Sequence, residues 1–270
     1  VAFLFEDDSG QVITTSDFEM DTSDDFTFMI WALAQSVGGD GDPFEGGMLC
    51  SIAGAGGFLV FRMPADTGAG NESLDVVYDF GSGEDEFGSG AGSVILGEWA
   101  HWAVRYTDST HLMEILKNGS VVASDTNDVG AGGNMDFLAV GAGDDPATES
   151  EWDGVLADFR FYRGNVLTDN EVTGAMEGMH PRRAIAGSQG LWVWWQMLAE
   201  GDGVNEPDLS GEGFVGEIRN APEVFNHPSI LSSRLRFTRT PPQLFLAVPS
   251  VYQQAVSRFR NDNGDLTAPL

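Results

Sequence analysis

The sequence predicts an all-β protein of antiparallel strands, and three observations predict it. Within residues 97–126 the side chains alternate with period two. Ala100, Trp102, Val104 and Tyr106 fall on one face, and Trp99, His101, Ala103 and Arg105 on the other, the pattern of a strand with one buried and one wetter surface. After the turn-forming run Thr107-Asp108-Ser109-Thr110 the alternation resumes from His111 to Leu116 and meets Asn118-Gly119. That dipeptide marks a tight hairpin because both residues tolerate positive φ. Finally, 270 residues make room for one sizeable β-sandwich, whereas two full domains would be cramped.

The remaining elements follow in chain order. Residues 1–5, VAFLF, read as a strand that runs into an acidic turn at 6–10. Residues 26–33, FTFMIWAL, are a strand with Phe26, Phe28 and Ile30 on one face and Thr27, Met29 and Trp31 on the other. Large apolar residues on both faces suit a sheet covered on each side, or one whose outer face meets another chain. Residues 38–47 form a Gly- and Asp-rich loop, 48–52 and 57–63 are strands around a glycine turn, and 74–80 is another strand. Residues 81–92, GSGEDEFGSGAG, are too rich in glycine and acid for a core and predict an exposed loop. Residues 135–140 lead to Gly141-Ala142-Gly143. Residues 167–172 predict the one clear helix of the body, with Thr168 as N-cap and Glu171 at capping-box spacing.

Particular residues also carry a resemblance. Trp99, His101, Ala103, Val104 and Tyr106, then Leu112, Asn118, Gly119, Val122 and Ala123, reproduce a "W-x-H-x-A-V-x-Y" strand followed by an Asn-Gly hairpin. A second block, Trp152-Asp153-Gly154-Val155-Leu156-Ala157-Asp158-Phe159-Arg160-Phe161-Tyr162, comes later in the same order. Together they resemble the laminin-G/concanavalin A-like lectin superfamily. The resemblance implies a concanavalin A-like (laminin-G-like) antiparallel β-sandwich jelly roll, to which the Pro- and Arg-bearing tail adds a C-terminal extended arm. That superfamily hosts glycan binders, enzymes and structural modules, so it implies a fold more tightly than a function.

The segment from Gly190-Leu191-Trp192 through Asp208-Leu209-Ser210-Gly211 to Ala221 resembles one that precedes the opening strand in many relatives. Here it follows the last block. It is read as a permuted arrangement, with a truncated second repeat as the alternative. The expected organisation is a body at 1–180, completing strands at 181–223, and a Pro- and Arg-containing docking arm at 224–270. The arm carries Arg234, Arg236, Arg239, Arg258 and Arg260 against Asp262 and Asp265, together with Phe245 and Tyr252.

Charge is divided unevenly. The formal net charge is −29, and residues 1–159 hold three bases, Arg62, Arg105 and Lys117, against 30 acids. Such a body repels nucleic acid and anionic membrane, so neither is an expected partner. Cys50 is the single cysteine, which rules out an internal disulfide framework. Residues 1–5 run straight into Glu6-Asp7-Asp8, so neither a secretion signal nor a membrane span is expected.

Catalytic patterns are sparse. Relatives that cleave glucans carry closely spaced carboxylates on one strand face. The nearest candidates, Glu151 and Asp153, are followed by Val155 and Leu156 where a third acid would stand, and are read as a solvated loop and strand start. His101, His111, His180 and His227 have no paired metal spacing. Calcium is the one candidate ion, with Asp144 and Asp145 as its best ligands against an ordinary acidic turn. Asn118-Gly119-Ser120 and Asn71-Glu72-Ser73 fit the N-glycosylation pattern, although a hairpin explains the first more economically. Trp192, Trp194 and Trp195 are expected in the core or at a subunit interface, with Trp192 and Trp194 on one face.

The functional expectation is a non-enzymatic virion structural protein that decorates a phage capsid exterior and is assembled in the host cytoplasm. It would form a homo-oligomer and contact the major capsid protein or other virion proteins through Trp195, Arg234, Arg236, Arg239, Phe245, Tyr252 and Arg258. The alternative is a lectin-like carbohydrate-binding module that recognises a receptor glycan.

Overall fold

The structure, a computed structural model, describes residues 2–6, 10–16, 18–36, 47–64, 70–126, 133–143, 151–178, 190–197 and 204–225. These fall within the first of two units, Val1–His227. Along the chain run β1 (Ala2–Phe5), β2 (Val12–Thr15), β3 (Met20–Asp21), β4 (Phe26–Ala34), β5 (Gly47–Gly54) and β6 (Gly57–Met63). Next come β7 (Asp75–Asp79), β8 (Asp85–Gly88), β9 (Ala100–Thr107), β10 (Leu112–Lys117), β11 (Ser120–Thr126) and β12 (Asn134–Met135). The last elements are β13 (Phe137–Val140), β14 (Gly154–Arg163), α1 (Asp169–Met176), β15 (Leu191–Trp195), β16 (Asn205–Glu206), β17 (Gly216–Arg219) and β18 (Glu223–Phe225).

Two eight-stranded sheets form a sandwich. The first has the order β11-β10-β9-β4-β14-β1-β18, with β15 also on β14, and the second β16-β17-β2-β13-β5-β6-β7-β8. Strand β14 is long enough for two neighbours on the edge away from β4. Strand β1 pairs with residues Gly154 to Leu156 and β15 with Phe159 to Tyr162. Strands β15, β17 and β18 thus take places in both sheets, against β14, β2 and β1. Val224 and Phe225, expected to begin the arm, belong to β18 instead.

Period-two alternation accounts for the interior. Phe26, Phe28 and Ile30 of β4 and Ala100, Trp102, Val104 and Tyr106 of β9 point between the sheets with Phe61, Leu138, Phe159 and Phe161. Stacked rings of Phe26, Phe28 and Phe161 lie 5.9–6.4 Å apart, so adjacent strands are locked by aromatic contact as well as by area removed from water. Turn chemistry follows the sequence equally closely. Asn118 and Gly119 adopt φ of 51° and 80° between β10 and β11, and Asn118 Oδ1 accepts a hydrogen bond from His101 N–H over 2.9 Å. Thr168 caps α1 in a complete capping box with Glu171.

The outer face of the first sheet is covered, one of the two outcomes expected from the apolar residues on both faces of β4, and on β9 it departs from the wetter surface expected there. Met29, Ala103, Leu116, Tyr162, Leu191 and Trp194 pack with Leu167, Val172 and Ala175 from the helix segment. Farther along, Trp31, Val155, Ala157 and Ala2 form another buried cluster. Even His101 is only 2% exposed. Covering this face explains why β4 carries large apolar residues on both sides.

Other expectations need correction. Residues 85–88 form an edge strand inside the stretch expected to be a loop. Phe87 packs against the core, and Glu86 pairs with Arg62 at 3.2 Å, so backbone pairing and one anchor outweigh the local Gly and acid content. Trp192 and Trp194 do not share a face, because the register shifts where β15 meets Phe161 and Tyr162. Trp194 enters the outer cluster, whereas Trp192 packs toward the inner core beside Phe214.

Candidate functional site

Three polar residues stand in a row across the outer face of the first sheet. Arg105 of β9 lies opposite Thr27 of β4 on one side and Glu114 of β10 on the other. The chain leaving β14 crosses this row and is stitched to it. Thr27 Oγ1 accepts from Leu167 N–H at 2.9 Å and donates to the Asn165 carbonyl at 3.2 Å. Arg105 Nη1 donates to the Leu167 carbonyl at 2.9 Å. The helix then begins at Asp169, directly over Arg105.

A pocket of about 540 Å³ opens here, lined by Arg105, Glu114, Val166, Leu167, Thr168, Asp169 and Asn170. Its volume falls within the roughly 300–1,000 Å³ of small-ligand sites. Arg105 is the hub: Nε donates to Glu114 Oε2 at 2.6 Å and Nη1 to Asp169 Oδ1 at 2.7 Å. Burial would lower the guanidinium pKa, but hydrogen bonds and charge from Glu114 and Asp169 outweigh it and hold the value above the ordinary one. Arg105 therefore stays charged with its side chain 11% exposed, while Asp169 is 60% exposed and contributes a weaker, screened partner. Among the described residues Arg105 Nη2, Glu114 Oε1, Asp169 Oδ2 and the Asn170 side-chain amide make no hydrogen bond, leaving both donors and acceptors on residues that line one opening.

Residues singled out from sequence lie elsewhere. Glu151, expected to be solvated, is buried, and its Oε1 accepts from Gly10 N–H at 2.6 Å. That contact ties the segment before β2 to the segment before β14, a structural use of the carboxylate. His101 is sealed against Trp31, with ring centroids 5.3 Å apart. Desolvation, with a smaller effect of Arg160, pushes its pKa down to about 3, so the ring is neutral and unsuited to proton transfer near neutrality. Trp195, expected in the core or at a subunit interface and named as a contact residue, is fully buried between the sheets, and its Nε1 donates to the Phe214 carbonyl at 2.8 Å. Asp144, Asp145, His180, His227, Arg234, Arg236, Arg239, Phe245, Tyr252 and Arg258 lie outside the described residues. Among the described residues no group of three or more His, Cys, Asp or Glu gathers as a metal site.

Two carboxylates that draw attention by their hydrogen bonds are structural. Asp158, buried at φ 53°, grips Arg160 through both oxygens (3.1 and 2.7 Å) and accepts from Trp194 Nε1 at 2.8 Å. Asp208 accepts from the backbone N–H groups of Trp194, Ser210, Gly213 and Phe214, at 2.9–3.1 Å, and so shapes its own loop.

Nothing in the sequence reading pointed to the Arg105 pocket. One signal was present. Arg105 and Glu114 sit at matching distances on either side of the turn at 108–111, so a hairpin register pairs them, and Arg105 is one of only three bases in residues 1–159. Asp169, 64 positions away from Arg105, is brought in by the tertiary fold alone.

The sandwich, its strand order and the two signature blocks define a lectin-like fold. The chain belongs to the concanavalin A-like lectin/glucanases superfamily, whose profile matches residues 7–173, more than half of its length. Among solved structures it is similar to a candidate carbohydrate-binding protein from Bacteroides ovatus, with a TM-score of 0.55 and 18% identity over 83% of this chain. The chain spans 61% of the length of that protein. It is also similar to a heptameric SAP-like pentraxin from Limulus polyphemus, with a TM-score of 0.44 and 14% identity over 80% of this chain and 99% of the pentraxin. A third is the CBM40 of a Ruminococcus gnavus IT-sialidase, bound to α2,3-sialyllactose, with a TM-score of 0.44 and 12% identity over 64% of this chain and 95% of that one. Comparison with curated proteins found no match.

Proposed function

We propose that this chain is a non-catalytic carbohydrate-binding module whose ligand sits in the pocket between Arg105 and Asn170. The observation that carries the reading is that unused donors and acceptors belong to residues lining the same opening: Arg105 Nη2 and the Asn170 side-chain amide as donors, Glu114 Oε1 and Asp169 Oδ2 as acceptors. A sugar hydroxyl donates and accepts at once, so it satisfies both kinds of group together. Family membership supports the reading at the level of fold, as does the description of the similar Bacteroides protein as a candidate carbohydrate binder. The nearest glucanase-like carboxylate, Glu151, is engaged with Gly10, which supports a binding role over a hydrolytic one.

The test is an immobilised-glycan screen of the whole chain, followed by calorimetry on the best ligand. Saturable binding that weakens at least tenfold in Asn170→Ala and in Arg105→Met is expected, a loss of about 1.4 kcal/mol. Binding unchanged by both substitutions, or no binding at all, sinks the proposal. Calcium at Asp144 and Asp145 is a separate proposal, checked by whether Asp144→Asn and Asp145→Asn remove a calcium-induced rise in Tm.

A second reading is a virion exterior protein that forms a homo-oligomer and contacts the major capsid protein or other virion proteins. The charge division favours it: residues 1–159 carry 30 acids against three bases, whereas residues 160–270 carry 12 against 10, which suits docking through the C-terminal part. A quantitative peptide census of purified virus particles decides it. Many copies per particle support the reading, and absence from intact particles removes it.

A further inference from the structure

Resting on the carbohydrate reading, the geometry points to a ligand class: we infer that the pocket selects neutral sugars through a pair of adjacent hydroxyls and rejects acidic sugars. Among the described residues the lining holds one cation, Arg105, and two carboxylates, Glu114 and Asp169. Both carboxylates already lie within 2.6–2.7 Å of the guanidinium. Its charge is therefore answered before any ligand arrives, and the pocket as a whole carries a surplus of negative charge.

An incoming carboxylate brings acceptors only. It would gain the open Nη2 donors of Arg105 but would stand beside Glu114 and Asp169 with no proton to offer either. Like-charge juxtaposition of this kind is a known means of excluding wrong ligands. A hydroxyl has the opposite fit: its oxygen accepts from Arg105 Nη2 or the Asn170 amide while its proton goes to Glu114 Oε1 or Asp169 Oδ2. Two hydroxyls on neighbouring carbons use both carboxylates at once, one on each side of the guanidinium. The surrounding body, with 30 acids against three bases through residue 159, adds long-range repulsion of the same sign.

The rest of the lining reinforces hydroxyl recognition. Among the described residues Val166 and Leu167 are the apolar members, and none of those lining the pocket is an aromatic ring that could stack a sugar face. Discrimination accordingly rests on polar groups held in place. Arg105 is fixed from three sides, by Glu114, Asp169 and the Leu167 carbonyl, so its remaining N–H groups present one orientation.

The experiment titrates the full chain with matched pairs, methyl glucoside against glucuronic acid and lactose against α2,3-sialyllactose, by calorimetry and by amide chemical-shift mapping. Expected is at least tenfold preference for each neutral member, with shifts centred on Arg105 and Asn170. Asp169→Asn, at an exposed helix position, is expected to narrow that preference severalfold by removing one like charge while the fold is kept. Equal or tighter binding of the acidic members, or a preference unmoved by Asp169→Asn, overturns the inference and leaves the carbohydrate reading standing. Failure of these sugars and of every glycan in the screen overturns both.

Discussion

Arg105 and Glu114 face each other across neighbouring strands, with Arg105 Nε donating to Glu114 Oε2 over 2.6 Å. The same guanidinium reaches Asp169 and the Leu167 carbonyl, so one side chain fastens the first sheet to the start of α1. Arg105→Ala would leave Glu114, whose side chain is 16% exposed, and the Leu167 carbonyl without their partner. A stability loss of about 1–3 kcal/mol is expected, read as a lower denaturant midpoint at unchanged slope. An unchanged midpoint would show that the contact contributes nothing net.

Gly119 permits a close approach of the helix to the β10–β11 turn. Its φ is 80°, and a Cβ there would collide with Thr173 Oγ1. Gly119→Ala is expected to cost at least about 1 kcal/mol from the backbone conformation alone, with the collision added. Adding Thr173→Ala should recover the collision part only. Thermal unfolding of the two single variants and the double variant separates these contributions.

The buried pair of Asp158 and Arg160 supports a different prediction. Asn at position 158 tolerates the positive φ as well as Asp does, yet it cannot neutralise Arg160, which is 3% exposed. Asp158→Asn is therefore expected to cost roughly 3–5 kcal/mol, as breaking a buried ion pair does. Asp158→Gly, which relaxes the backbone and also removes the charge, should be no better. Stability at or near that of the natural chain in Asp158→Asn would show that geometry rather than charge matters here.

His101 should make stability fall on acidification. Its folded pKa of about 3 lies below the ordinary histidine value of 6.5, so between these limits the unfolded chain binds a proton that the folded chain refuses. Stability from this group is fully present above the unfolded pKa and declines as pH falls from about 6.5 toward 3, by at most about 1.4 kcal/mol per pH unit. Urea unfolding at several pH values, compared with His101→Gln, isolates this slope. Equal slopes in both chains would refute the assignment.

Local signals were legible in residues 97–126 and again at Thr168. The inward set Ala100, Trp102, Val104 and Tyr106, the turn at Asn118-Gly119 and the capping box with Glu171 all appear where the sequence places them. Each depends on side chains a few positions apart, and strand alternation, turn preference and capping act over that range. The sequence by itself thus determined the sandwich, its inner face and the position of its helix. Tertiary structure alone decided which elements cover the outer face, that Glu151 is buried against Gly10, 141 positions away, and that Trp195 fills the core rather than a subunit interface. It also decided the pocket, because Asp169 meets Arg105 only when the chain leaving β14 crosses the row formed by Thr27, Arg105 and Glu114. The physical reason is that each of these outcomes depends on which distant strand or loop packs beside a residue, and no local window contains its eventual neighbour.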